Sequence, residues 1–176
     1  MRPPVLIVPG YGDSGPEHWQ SLWEEANPDF RRVAQRDWLY PVCVEWVATL
    51  EHAIRAAGAP VVLVAHSLGC LAVAHCASGR ALPVHAALLV APADVERADF
   101  PPVTEGFAPI PMTPLPFPSI LVASRNDTFT DFARSTELAK AWGSRLVDAG
   151  ASGHLNGDSG FGPFPLGEAL LAELIG

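Results

Sequence analysis

Short β-branched runs alternate with longer segments of helical character along the whole chain. Strands joined through helices pair in parallel, and the helices must cover both faces of the sheet. Six strands are predicted, at Val5 to Val8, Arg32 to Gln35, Val61 to Ala65, Ala87 to Ala91, Ser119 to Ala123 and Arg145 to Val147. Several are apolar without alternation, the pattern of strands buried on both sides. Helices are predicted at Pro16 to Asn27, Pro41 to Ala57, Leu68 to Ser78, Asp131 to Trp142 and Pro165 to Ile175. Pro16 and Pro41 suit a first helical turn, and Gly58, Gly79 and Gly143 follow the last turns, where a left-handed cap is wanted. The expectation is an α/β protein with a single domain over residues 1-176.

Composition narrows the partners. Of 176 residues, 49% are hydrophobic and 17% charged, which favours a packed core over disorder. Nineteen acidic against eleven basic residues give a net charge of -8, with no Lys/Arg-rich run, so nucleic acid is not an expected partner. The longest apolar stretch, Val61 to Ala77, carries His66, Ser67 and His75, so no membrane span is expected. The start, MRPPVLIVPG, is too short and wrongly flanked for a signal peptide, which points to the cytoplasm. Cys43, Cys70 and Cys76 are odd in number and lack CxxC spacing, so reduced thiols are expected, with no metal site and no cofactor.

The segment with most chemical content is Val61-Val-Leu-Val-Ala-His-Ser-Leu-Gly-Cys70, a buried strand entering a helix through one tight turn with Ser67 at its apex. This is the context of a nucleophile elbow, G-x-S-x-G, in which the residues two before and two after the serine must be small for the helix to cross the strand. Here they are Ala65 and Gly69. The alternative is that Ser67 merely caps the helix.

A serine nucleophile needs a base and an acid that orients it, in the chain order Ser, Asp or Glu, His for this architecture. Asp127 follows the fifth strand and His154 the sixth, so both loops fall on the edge that carries Ser67. Asp94, after the fourth strand, is the alternative acid, with Asp131 nearby; chain order and loop position favour Asp127. Among six histidines, His154 alone lies downstream of the candidate acids, and His66 adjoins the serine on the wrong side of the turn. An oxyanion hole would take the backbone N–H of Leu68 and one from the glycine-rich loop after the first strand, with Tyr11 preferred to Gly12. No GK[ST] follows that loop, so a nucleotide site is disfavoured.

From Phe100 to Pro118 seven prolines exclude a regular helix or a central strand. The segment is expected to be a long ordered loop or a flap, with Phe107, Met112 and Phe117 as candidates for the acyl side of a pocket.

Six segments together resemble the small serine hydrolases of the retinoblastoma-binding protein 9 and YdeN-like type, a compact branch of the α/β-hydrolase superfamily. They are Pro9-Gly-Tyr-Gly-Asp-Ser-Gly-Pro-Glu-His-Trp-Gln20, Gln35-Arg-Asp-Trp38, Ala65-His-Ser-Leu-Gly-Cys70, Ala91-Pro-Ala-Asp-Val-Glu96, Ala123-Ser-Arg-Asn-Asp127 and Gly153-His-Leu-Asn-Gly-Asp-Ser-Gly-Phe-Gly162. The likeness spans nearly the whole chain; its main departure is Ala65 in place of glycine. It implies a six-stranded parallel sheet without a large cap, with Ser67 as nucleophile, His154 as base and Asp127 as acid. The expected function is hydrolysis of a small ester, thioester or amide, and the alternative is a protein-binding module that retains the fold.

Overall fold

The computed structural model describes residues 2–176. Its elements run β1 (Val5–Val8), α1 (Trp19–Ala26), β2 (Phe30–Arg32), α2 (Cys43–Ala56), β3 (Val61–His66), α3 (Leu68–Ala77), β4 (Val84–Val90), β5 (Ser119–Ala123), α4 (Phe132–Trp142), β6 (Arg145–Asp148), a 3-10 turn (Gly157–Ser159) and α5 (Pro165–Ile175). All six strands are parallel, in the order β2-β1-β3-β4-β5-β6. The fold is the compact α/β arrangement that the alternating pattern predicts.

Side chains along the strands alternate between two cores. Leu6, Val8, Leu63, Ala65, Leu89 and Leu121 face α2, α3 and α4. Val5, Ile7, Val62, Val64, Leu88 and Val122 face α1 and α5, against Trp19, Trp23, Phe164 and Leu171. Because both faces are covered, the strand sequences show no polar alternation. Nine of the ten residues of α3 are buried, which explains why this helix is apolar all round. Among the described residues no helix is long and apolar enough to cross a membrane.

Three expectations need correction. The second strand is Phe30–Arg32, not Arg32 to Gln35, because pairing with β1 sets Phe30 opposite Val5 and Arg32 opposite Ile7. The chain then leaves the sheet, and Val33 and Gln35 turn inward. An edge strand takes its register from its neighbour, which its own three residues do not encode. Helix α1 starts at Trp19 rather than Pro16, since the His18 side chain, an uncommon cap, accepts the Gln20 N–H.

The segment 100–118 is the third. Phe107 and Phe117 are buried in the core beside α2 and α3, and Met112 is exposed; none of the three lines the cavity at Ser67. The segment is tied down along its length. Glu105 pairs with Pro41 and Cys43 through backbone bonds, Leu115 N–H donates to the Trp142 carbonyl, and Trp142 Nε1 donates to that of Pro111. It is an ordered connector whose aromatic residues complete a core.

The chain runs outward from β1 to β2 and returns to β3 on the other side of β1. The loops after β1 and β3 therefore diverge at the carboxyl edge and leave a crevice between them, the place where open α/β sheets receive ligands.

Candidate active site

Ser67 sits at that crevice with φ 53° and ψ -121°, in a region L-residues avoid. The strain is imposed by packing. A Cβ at Gly69 would collide with the Val8 carbonyl oxygen and lie 2.6 Å from that of Pro9, so α3 crosses the end of β1 only with glycine there. A Cβ at Gly10 would fall 2.9 Å from Ser67 Cβ and 3.3 Å from the Leu68 nitrogen, which puts the loop after β1 directly against the turn. The Ser67 side chain makes no helix-capping bond. Its Oγ instead lies 2.8 Å from His154 Nε2.

His154 Nδ1 lies 2.9 Å from both carboxylate oxygens of Asp127. A carboxylate can only accept, so the proton sits on Nδ1 and Nε2 is left to accept from the Ser67 hydroxyl. Asp127 Oδ1 also accepts the Phe129 N–H at 2.8 Å. The Phe129 ring packs 4.5 Å from the His154 ring, and all three hydrogen-bonded residues are buried. Asp94 is not part of this chain of bonds: it pairs with Arg134 at 3.6 Å and accepts from Glu96 N–H. Asp131 is the N-cap residue of α4.

Side chains that motif reasoning passed over hold the loops. Asn126 Oδ1 accepts the Gly153 N–H, tying the Asp127 loop to the His154 loop. Ser159 Oγ accepts the His154 N–H and donates to Asn156. Gln20, fully buried, spans from the Val64 carbonyl to the Ser14 hydroxyl and so pins the loop after β1 to β3. His66 Nε2–H donates to the His154 carbonyl at 2.9 Å, fixing the backbone under the opposite imidazole. Burial, together with the neighbouring His154 and His18, holds His66 well below the usual histidine range, so it stays neutral. No spacing rule links Gln20 or His66 to these partners; only the fold brings them together.

Of the two N–H groups weighed in the loop after β1, that of Gly12 donates to the Trp38 carbonyl at 2.9 Å. Among the described residues, no loop or turn carbonyl accepts the N–H of Tyr11 or of Leu68.

Ser67 and His154 open into a cavity of about 750 Å³. Its lining combines apolar Ala93, Phe100, Pro101, Val103 and Phe129 with polar Asp13, Glu17, His18, Asn156 and Asp158.

The fold and this site define an α/β hydrolase. The model of the serine hydrolase family matches residues 5–173, and the chain belongs to that family. A structure described as a YdeN-like hydrolase of Pectobacterium atrosepticum is 36% identical over 99% of this chain and 94% of its own, with a TM-score of 0.87. The ydeN gene product of Bacillus subtilis is 22% identical over 97% of each chain, TM-score 0.80. A monoacylglycerol lipase of Paleococcus ferrophilus shares the fold at 14% identity, covering 99% of this chain and 95% of its own, TM-score 0.71. No curated protein matches the chain significantly.

Proposed function

We propose that the protein hydrolyses a small carboxylic ester, thioester or amide through an acyl-enzyme on Ser67. As Ser67 Oγ attacks the carbonyl carbon, its proton passes to His154 Nε2, and Asp127 steadies the imidazolium through Nδ1–H. The backbone N–H groups of Leu68 and Tyr11 receive the negative charge that develops on the carbonyl oxygen. Collapse breaks the bond to the leaving group, which departs with the proton from His154. Water then attacks the acyl carbon, gives a proton to His154, and the free acid leaves as that proton returns to Ser67.

The observation that carries this reading is the unbroken run of bonds from the strained Ser67 through His154 to buried Asp127, at 2.8 and 2.9 Å. A module selected only for binding has no use for a serine held at φ 53°.

The test is treatment with a fluorophosphonate probe, followed by intact mass and mapping of the labelled peptide, beside Ser67→Ala and His154→Ala. One adduct per chain at Ser67, abolished by the first substitution and lost or strongly slowed by the second, is expected. A folded protein that takes no label overturns the proposal and favours the binding module.

A further inference from the structure

His154 stands between two residues in left-handed backbone conformation, Gly153 with φ 57° and Leu155 with φ 50°. Glycine takes this conformation freely; leucine does not. Leu155 is fully buried in the core that α1 and α5 cover, together with Trp19 and Phe164. A left-handed leucine persists only where the surrounding structure leaves it no alternative.

Two buried ring N–H groups supply that constraint. His66 Nε2–H donates to the His154 carbonyl at 2.9 Å, and Trp19 Nε1–H donates to the Leu155 carbonyl at 2.8 Å. These carbonyls belong to the two peptides that meet at the Leu155 Cα, so the pair of bonds fixes both. Relaxation of Leu155 to a negative φ would turn the His154–Leu155 peptide, break the bond to His66 and carry the imidazole away from Ser67 Oγ. The donors also brace each other, since the Trp19 and His66 rings meet edge to face with 6.0 Å between centres. Trp19 opens α1 and His66 ends β3, directly before Ser67. Asn126 and Ser159, which take the N–H groups of Gly153 and His154, lie in a loop and in the 3-10 turn. His66 and Trp19 are therefore the groups that tie the turn to the sheet and to α1.

The charge state of His66 suits this place. Its ring centre lies 4.9 Å from that of His154 and 4.9 Å from that of His18. In the proposed reaction His154 takes up a proton, which a positive neighbour would oppose. Burial, with His154 and His18 nearby, keeps His66 neutral; burial, then Arg32 and His154, lowers the His18 pKa to about 4. His66 thus gives its hydrogen bond without bringing a charge beside the base.

We infer that His66 is a positioning residue for the base: together with Trp19 it holds Leu155 left-handed and so keeps His154 Nε2 against the Ser67 hydroxyl. This rests on the hydrolase reading above and deepens it, adding to the site a side chain that acts through the base.

The test measures kcat and KM toward 4-nitrophenyl butyrate per site titrated with the fluorophosphonate, so that unfolded or inactive protein is not counted. His66→Leu keeps much of the bulk of the ring and removes the donor; kcat should fall by about 100-fold, with KM within about twofold of wild type. His66→Gln sets an amide N–H near the position of Nε2 and is also neutral, so kcat should return to within about fivefold of wild type. The rate constant for labelling Ser67 should follow kcat in both variants.

A kcat per site that stays within about threefold of wild type in folded His66→Leu overturns the inference and leaves the hydrolase reading intact. So does an equal loss in His66→Leu and His66→Gln, which would make the ring rather than its N–H the cause, or a loss carried by KM alone. Should His66→Leu fail to fold, Trp19→Phe decides, since it keeps a ring and removes the other donor: kcat should fall by about tenfold, and an unchanged kcat overturns the inference. Absence of turnover together with absence of label on Ser67 in the wild-type protein removes the hydrolase reading and this inference with it.

Discussion

The β3–α3 turn and the connection between β4 and β5 both border the same cavity, and they are held by opposite means. The turn is fixed by close contact: Ser67 is strained because α3 packs over β1 with no room for a side chain at position 69 or position 10. The connection is fixed by scattered anchors, a bridge to α2, two bonds with Trp142 and the burial of Phe107 and Phe117. The first device places one atom accurately at the cost of backbone strain. The second gives a long segment an ordered path, of which Ala93, Phe100, Pro101 and Val103 reach the cavity wall. In the proposed mechanism chemistry depends on the turn, and stability is shared between the two.

The largest expected effects break that division on the chemical side. Ser67→Ala should reduce kcat/KM toward a chromogenic ester by about 10⁶-fold while the unfolding midpoint stays near that of wild type. Asp127→Asn should cost about 10⁴-fold, because the base loses the carboxylate that selects its tautomer. Asp94→Asn should fall far short of that, and a comparable loss in both would show that the acid has been misassigned.

Next come the structural effects. Phe107→Ala, which opens a cavity in a fully buried site, should destabilise the protein by about 4 kcal/mol in urea unfolding. The fraction that remains folded should keep its activity, since Phe107 does not line the cavity. Gly69→Ala should cost about 3 kcal/mol from overpacking against the Val8 and Pro9 carbonyls, and activity should fall with it, because the loop after β1 is pushed from Ser67. If Gly69→Ala left activity intact, accurate placement by steric contact would be the wrong account of the turn.

Acid sharpens the comparison in a different way. His18 titrates at 6.5 in the unfolded chain and at about 4 when folded, so below pH 6.5 the unfolded state takes up a proton that the native state refuses. Stability is therefore lost as pH falls from 6.5 to 4, by about 3 kcal/mol from His18 at the lower limit, and His66 adds in the same direction. Thermal melts of wild type and His18→Asn across this range should converge as pH falls; parallel curves would remove His18 as a cause. The smallest effect is expected at Trp142→Phe, where loss of the bond to the Pro111 carbonyl should cost about 1 kcal/mol and leave turnover unchanged.

How legible these regions were follows from how they are held. Ser67, the small residues around it and the chain order of Asp127 and His154 are written in short stretches, and the structure brings all three side chains into one chain of bonds. Phe107, Met112 and Phe117 suggested a pocket wall because apolar residues in a proline-rich loop show that something is covered without showing what. The same limit applies to β2, where partner strand and register are decided by β1, and to His66, set aside for its position in the turn yet bonded to the backbone of residue 154.

By itself the sequence determined the parallel sheet with helices on both faces, because apolar periodicity and turn residues act within a few positions of one another. It also determined the strained serine, since the requirement for a small residue at 69 is local to the strand-turn-helix unit. Only the tertiary structure decided the edge register, the destination of the segment 100–118, and the tautomers and neutrality of His18 and His66. Those depend on distances between residues far apart in the chain and on how much water is excluded around them, which are properties of the packed molecule.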